Sequence, residues 1–186
     1  MQNELLKQNR KSHIELGEIV FWTATIHKWI KLLEDDNYKD VILDSLNYLS
    51  EIKCIDVFGF VIMPNHIHLI WRINRLNGTE LPHKSFLKHT AHKFKELLKN
   101  EEVKRLLLFN VNASNKNFEF WKRDSLAIRI FSPEMALQKL NYIHNNPVTE
   151  HWQLAVDVFD YKYSSALFYE KEINTYSFLK DIRNEF

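Results

Sequence analysis

Apolar residues form short runs along the chain, and their spacing predicts the order of the secondary-structure elements. Four runs are rich in β-branched and aromatic residues and predict strands: residues 19–26, 57–62, 67–73 and 126–130. Three segments carry apolar residues at helical spacing: residues 38–52, 85–98 and 133–145. The order strand, helix, strand, strand, helix, strand, helix predicts an α+β fold, a ferredoxin-like sandwich whose antiparallel sheet packs against helices.

Turn and cap residues delimit these elements. Residues 63–65 contain Pro64 and Asn65, which favour a tight turn and predict a hairpin between the second and third strands. The predicted helix caps are Asp36 or Asn37 for the first helix, Ser85 for the second, and Ser132 followed by Pro133 for the third. Residues 103–117 are expected to extend the second helix and then to end in an asparagine-rich loop, 110–117.

Composition predicts a single compact domain. The chain has 186 residues, and we divide it into an N-terminal arm at 1–18, a domain at 19–170 and a C-terminal tail at 171–186. Cys54 is the one cysteine, which excludes a disulfide framework and a cysteine-based zinc site. With no recognisable signal peptide and no apolar segment long enough to span a bilayer, we expect a cytoplasmic protein without a membrane partner.

The charge distribution says more than the formal net charge of +1. Residues 84–105 are basic on balance, whereas the chain after Val148 is acidic on balance. This asymmetry is compatible with a localised anion-binding face or with a solvated helix surface. The candidate contacts to a DNA backbone are Lys88, His89, His92, Lys93 and Lys95.

Two histidines one residue apart interrupt the longest apolar run. Side chains alternate along a strand, so His66 and His68 should project from one face, with Ile67 on the other. Two neutral imidazoles side by side can chelate a divalent metal ion. The alternative is a pair of solvated histidines at the edge of the core.

Three segments together resemble a known family. Residues 63–69, Met-Pro-Asn-His-Ile-His-Leu, resemble the metal-binding segment of the REP-associated tyrosine transposases, insertion-sequence transposase-like proteins in the single-tyrosine branch of the His-hydrophobe-His (HUH) nucleases. Residues 142–148, Tyr-Ile-His-Asn-Asn-Pro-Val, resemble that family's nucleophile helix, and Tyr161 with Tyr163-Ser164-Ser165 resembles its C-terminal signature. The segments occur in the family's order and approximate spacing. The resemblance implies a ferredoxin-like fold and makes residues 19–170 an HUH domain.

The resemblance also implies roles for individual residues. It makes Tyr142 the nucleophile and His66 and His68 the ligands of a divalent metal ion, Mg²⁺ or Mn²⁺, of which Mn²⁺ accepts imidazole more readily. Asn146 lies four residues after Tyr142, on the same helix face, and is a candidate third ligand. The alternatives are ordinary packing for Tyr142 and a helix cap next to Pro147 for Asn146.

Further polar and aromatic residues leave two interpretations open. His144 either contacts phosphate or is exposed to solvent. Phe118, Phe120 and Trp121 precede Lys122 and Arg123, a mixture that can stack on and neutralise single-stranded nucleic acid, although the aromatic residues can equally belong to the core.

The expected function follows from the resemblance. It is that of a DNA transposase and single-strand endonuclease, which cleaves and rejoins hairpin-flanked single-stranded DNA through a 5′-phosphotyrosine intermediate. The expected partner is chromosomal single-stranded DNA with hairpin or palindromic structure, and a monomer and a homodimer both remain open. One alternative is a domesticated protein that binds structured single strands without cutting them. A zinc hydrolase is disfavoured because the sequence offers no clear third strong ligand and general base.

Overall fold

The computed structural model describes residues 14–113, 116–123 and 125–186. The strands are β1 (Ile19–Thr25), β2 (Ile55–Met63), β3 (His66–Ile73), β4 (Asn110–Ala113), β5 (Lys116–Phe118) and β6 (Leu126–Arg129). The α-helices are α1 (Asp36–Glu51), α2 (Pro82–Glu101), α3 (Val103–Leu106), α4 (Pro133–Asn145) and α5 (Ala166–Lys171).

The main sheet is antiparallel throughout and has four strands in the order β2-β3-β1-β6. α1 connects β1 to β2, and the chain between β3 and β6 contains α2. This strand order with these crossovers is the split βαβ arrangement of a ferredoxin-like sandwich. The predicted α+β fold class is confirmed.

The two faces of the sheet carry separate hydrophobic clusters. On β3, Ile67, Leu69 and Trp71 pack in the cluster that contains the inner faces of α1 and α2. Ile70 points the other way and packs in the cluster that contains the inner face of α4. Because side chains alternate along a strand, His66 and His68 lie on the same face as Ile70 and α4.

The predicted hairpin is present, with Pro64 and Asn65 forming a two-residue turn between β2 and β3. Neighbouring chain segments hold this turn. The Ile26 amide donates to the Asn65 carbonyl at 2.8 Å, and the Leu33 amide donates to the Pro64 carbonyl at 2.9 Å. The end of the hairpin is therefore fixed in place against the chain that follows β1.

The predicted start of α4 is confirmed, whereas two other caps were wrong. The Ser132 hydroxyl accepts a hydrogen bond from the Met135 amide, with Pro133 in the first turn. Asp35 occupies the N-cap position of α1, so Asp36 and Asn37 lie inside the helix.

The predicted cap of α2 was one turn too late. α2 begins at Pro82, whose missing amide donor costs nothing in a first turn, and Ser85 lies inside the helix, where its hydroxyl donates to the Pro82 carbonyl.

The prediction that residues 103–117 extend α2 and end in a loop was wrong for the part of that range that the structure describes. α3 ends at Leu106, a 3₁₀ turn follows at Leu107–Phe109, and β4 then pairs antiparallel with β5. Phe109 is buried and its ring stacks on the Phe120 ring at a centroid distance of 4.6 Å. This tertiary contact stabilises a non-helical path of the chain after α3, which the local sequence does not indicate.

Both ends of the described chain pack against the domain. Of the predicted N-terminal arm, residues 1–13 lie outside the described residues, whereas Ile14 is buried in the core and the Gly17 amide donates to the Ile73 carbonyl. In the predicted tail, Leu179 and Ile182 are buried against the sheet. No helix in the described ranges combines the length and the apolar character that crossing a membrane requires.

Candidate metal and tyrosine site

The histidine pair lies on β3 beside the hairpin turn. His66 is 8% exposed and His68 is 5% exposed, and their ring centroids are 4.7 Å apart. The prediction that they share one face of the strand is confirmed. The alternative of two solvated histidines is wrong, because both rings are enclosed by neighbouring side chains.

Each ring uses its Nδ1 atom inside the protein. His66 Nδ1 lies 2.7 Å from Asn65 Oδ1, and His68 Nδ1 lies 2.7 Å from Thr23 Oγ1, the side chain opposite it in the β1–β3 register. An amide oxygen only accepts, so Nδ1 of His66 carries the proton and its Nε2 keeps a lone pair. Among the described residues, His68 Nε2 is buried and has no hydrogen-bond partner.

Burial keeps both imidazoles neutral. Loss of solvation lowers the pKa of His66 to about 4, and it lowers the pKa of His68 to about 3, with smaller contributions from the charges of His66 and Lys139. A neutral imidazole with a free Nε2 lone pair is the form that binds a metal ion. Both side chains are therefore neutral near pH 7, and His66 presents the Nε2 lone pair that metal binding requires.

Tyr142 lies directly beside this pair. Its ring packs edge-on against His68 at a centroid distance of 5.3 Å and against Phe21 at 5.9 Å. Leu140 and Ile143 are buried under α4, whereas Tyr142 is 52% exposed. The side chain thus bridges the buried histidines and the solvent, where a substrate can reach it.

Three tyrosines of the C-terminal segment have hydroxyls that are engaged inside the protein. The hydroxyls of Tyr161, Tyr163 and Tyr169 donate to the Ile62 carbonyl, the Asp40 carboxylate and the Phe58 carbonyl, respectively. Burial also raises the pKa of each of these three phenols. They stabilise the packing of the C-terminal segment on β2 and α1 and are poorly placed to attack a substrate.

Asn146 ends α4 and is buried. Its backbone amide donates to the Ile143 carbonyl, and its backbone carbonyl accepts from the Thr149 hydroxyl at 2.8 Å. The predicted cap role is therefore met by its backbone, while the role of its side chain as a third ligand stays a prediction. Within the described residues, no three His, Cys, Asp or Glu side chains are grouped so that they could hold a metal ion.

His144 is neither exposed nor available to phosphate. It is buried on the inner side of α4, with Nε2 2.9 Å from the Ser165 hydroxyl, and burial lowers its pKa to about 4. The same hydroxyl accepts from the Phe60 amide at 3.0 Å. This network joins α4, β2 and the start of α5, so both alternatives considered for His144 were wrong.

The basic residues of α2 are not brought to the histidine pair. α2 packs on the opposite face of the sheet, and two of its lysines form ion pairs, Lys88 with Glu80 and Lys93 with Glu96. Of the aromatic residues considered for stacking, Phe120 and Trp121 are buried in the core and Phe118 is half-buried.

Three neighbours of the pair were not anticipated. Lys139 lies one turn before Tyr142, and its Nζ is 4.9 Å from the centre of the Phe21 ring. The Trp152 ring centroid is 5.8 Å from that of His66, and Thr23 contacts His68 as described. The spacing of Lys139 and Tyr142 along a helix could have indicated that Lys139 lies near the pair. The positions of Trp152 and Thr23 depend on tertiary structure.

Comparison with known proteins identifies the fold. No protein-family profile and no curated protein sequence matches the chain. The structure is similar to that of a REP-associated tyrosine transposase bound to a REP hairpin, at 16% identity and a TM-score of 0.58, over 82% of this chain and 79% of that one. It is also similar to a candidate transposase from Deinococcus radiodurans R1, at 15% identity and a TM-score of 0.43, over 75% of this chain and 97% of that one. The first similarity shows that the chain has the fold that its sequence resemblance predicted.

Proposed function

We propose that this chain is a transposase-like DNA strand transferase and single-strand endonuclease that cleaves and rejoins hairpin-flanked single-stranded DNA through a 5′-phosphotyrosine intermediate. The observation that carries the proposal is the position of the half-exposed Tyr142 ring, 5.3 Å from His68 in a buried pair of neutral histidines. The similarity in fold to a transposase bound to a REP hairpin supports the choice of substrate.

In the proposed reaction, the oxygen of Tyr142 attacks the scissile phosphorus. A phosphotyrosine bond forms, the bond from phosphorus to the 3′ oxygen breaks, and the phenolic proton leaves so that a 3′-hydroxyl end is released. Attack of a 3′-hydroxyl on the phosphotyrosine reverses these steps and rejoins DNA. One phosphodiester is exchanged for another, so no external energy source is required.

The donors fit a divalent metal ion. Nε2 of His66 and Nε2 of His68 would hold it, because Asn65 and Thr23 occupy the Nδ1 atoms and Nε2 of His68 is buried without a protein partner among the described residues. The Asn146 amide oxygen is the candidate third ligand, and Mn²⁺ or Mg²⁺ is the proposed ion. When bound, such an ion polarises the scissile phosphate and stabilises the leaving 3′ oxygen.

Lys139 supplies positive charge on the same face. Its Nζ lies over Phe21, the ring that also contacts His68 and Tyr142. We assign to Lys139 the attraction and orientation of a DNA phosphate beside Tyr142.

The experiment uses the folded protein, Mn²⁺ and 3′-end-labelled single-stranded oligonucleotides that cover inverted repeats in the DNA flanking its gene. A 5′-phosphotyrosine link retains the labelled 3′ fragment, so we expect a labelled band that migrates with the protein on a denaturing gel. Binding of hairpin DNA without any such band, on every oligonucleotide and with Mn²⁺ present, would support the alternative of a domesticated binding protein.

A further inference from the structure

A solvent-exposed tryptophan lies at the same end of the sheet as the histidine pair. Trp29 is 56% exposed. The other four tryptophans of the chain are buried or half-buried: Trp22, Trp71, Trp121 and Trp152. The exposed ring presents a flat apolar face to solvent, where a planar ligand can stack on it.

The backbone that presents this ring is strained. Lys28 and Trp29 both have left-handed conformations, with φ of 54° and 58°, which disfavour residues other than glycine. Hydrogen bonds hold the backbone in this strained conformation. The Trp29 amide donates to the Ile26 carbonyl at 3.0 Å, and the His27 amide donates to the Phe120 carbonyl at 2.7 Å. Strained, well-determined backbone of this kind concentrates at functional sites.

One side chain connects this segment to the histidine pair. Asn65 Nδ2 donates to the Trp29 carbonyl at 3.4 Å, while Asn65 Oδ1 accepts from His66 Nδ1 at 2.7 Å. The amide of Asn65 therefore orients a proposed metal ligand with one atom and restrains the tryptophan segment with the other. Asn65 therefore connects the backbone of Trp29 with the ring of His66.

A cation accompanies the exposed ring. Nζ of the exposed Lys122 lies 4.7 Å from the centre of the Trp29 ring. The Lys122 amide donates to the carbonyl of Thr25, the residue that pairs with His66 in the β1–β3 register. An aromatic face with a neighbouring cation is the combination that binds an unpaired base and its phosphate, and stacking tolerates any base.

We propose that Trp29 and Lys122 form a stacking platform for one unpaired base of single-stranded DNA, next to the phosphate that Tyr142 attacks. The class of ligand rests on the proposed function, whereas the platform itself rests on the exposure, the strained backbone, the cation and the Asn65 connection. Trp29 acts as a positioning residue, because it holds the strand and does not contact the reacting atoms.

Trp29→Gly separates binding from folding. Glycine adopts φ near 58° without strain, so the variant should unfold at the same temperature as the wild type or higher. Its affinity for a fluorescein-labelled hairpin with a single-stranded flank, measured by anisotropy, should fall by about tenfold through loss of one stacked base. Its affinity for the same hairpin without the flank should not change.

The matched control is Phe131→Ala. Phe131 is 74% exposed and follows β6, whose Arg129 pairs with Val20 at the start of β1, whereas His66 pairs with Thr25 at its end. This aromatic ring therefore lies at the opposite end of the sheet, and its removal should leave both affinities unchanged.

Several results would overturn the platform, and they differ from failure of the proposed function. The platform would be rejected if Trp29→Gly bound the flanked hairpin as tightly as the wild type does, or if it lost equal affinity for the hairpin without the flank. A lower unfolding temperature of Trp29→Gly would also reject the platform. Each of these results would stand even if the wild type forms a Tyr142 adduct. Flank-dependent loss of affinity in a protein that forms no adduct would support the platform and reject the cleavage reaction. A wild type that binds neither hairpin would reject both.

Discussion

At the scale of single residues, the histidine pair differs from what a surface His-x-His motif would offer. Both rings are buried, and the Nδ1 atoms are held by Asn65 and Thr23. These contacts orient the rings before any ligand arrives, which is the role that outer hydrogen-bond partners play in metal sites. Alanine at either position would leave a cavity as well as remove a proposed ligand, so it would confound metal binding with stability.

His68→Phe tests the ligand role with less disturbance. Phenylalanine keeps a ring against Phe21 and Tyr142 but has no nitrogen donor. With MnCl₂ at a hundred times its dissociation constant, the wild type should gain about 2.7 kcal/mol of unfolding free energy, while the variant should gain much less. Thermal unfolding with and without Mn²⁺ measures this difference.

His89→Phe is the control for this measurement, since His89 is exposed on α2, away from the pair. It should show the wild-type response to Mn²⁺. If Mn²⁺ stabilised His68→Phe as much as it stabilises the wild type, His68 would not be a ligand of the metal ion.

At the scale of elements, α4 carries Tyr142 and depends on a glycine beneath it. A Cβ on Gly59 of β2 would lie 2.7 Å from Leu140 Cδ2 and 3.2 Å from Ile143 Cδ1, both on the buried side of α4. Glycine at this position lets the helix approach the sheet closely. The approach in turn places Tyr142 against His68.

Gly59→Ala should therefore destabilise the fold through overpacking, by about 1–3 kcal/mol. In a Leu140→Ala background the nearest obstructing methyl is absent, so the same substitution should cost less. Denaturant unfolding of the four proteins in this double-mutant cycle measures the difference. Equal costs in the two backgrounds would show that α4 does not rest on Gly59 through Leu140.

Residue type and spacing predicted most of the helices and strands, but not the segments whose structure depends on tertiary packing. The strands of the sheet, the hairpin turn and the Ser132 cap followed from residue type and spacing. The pairing of β4 with β5 did not, because the stacking of Phe109 on Phe120 is a tertiary contact that the local sequence does not reveal.

The site was predictable to a similar extent. His66, His68 and Tyr142 were identified from motifs, and the structure brings them together. The contact of Thr23 with His68 and the proposed role of Trp29 were missed, because the first depends on strand register and the second on a left-handed backbone, which no local pattern indicates.

At the scale of the whole molecule, the sheet separates two chemically different faces. The face with α4 carries the histidine pair, Tyr142 and Lys139, whereas the lysines of α2 lie on the other side, partly neutralised by Glu80 and Glu96. The formal net charge of +1 gives little nonspecific attraction for DNA. Binding should therefore depend on the face with the tyrosine and not on overall charge.

Substitution of lysines on the two faces tests this asymmetry. Lys139→Gln should weaken hairpin binding and reduce the slope of log affinity against log salt by about 1, as expected for one lost phosphate contact. The double variant Lys88→Gln with Lys93→Gln removes more charge, but its slope should equal that of the wild type. A reduced slope only in the α2 double variant would assign DNA binding to the opposite face.

The central claim is that Tyr142 becomes covalently joined to DNA. Tyr142→Phe removes one oxygen and keeps the ring against His68 and Phe21, so fold and hairpin binding should persist. Tyr161→Phe and Tyr163→Phe serve as controls, since their hydroxyls are engaged inside the protein.

The measurement is a denaturing gel of 3′-labelled flanked hairpin DNA with Mn²⁺ and each protein, after folding has been verified by thermal unfolding. The account predicts a protein–DNA band for the wild type and both controls and no band for Tyr142→Phe. A band that persists in Tyr142→Phe and disappears in Tyr161→Phe or Tyr163→Phe would contradict it, because the nucleophile would then lie outside α4.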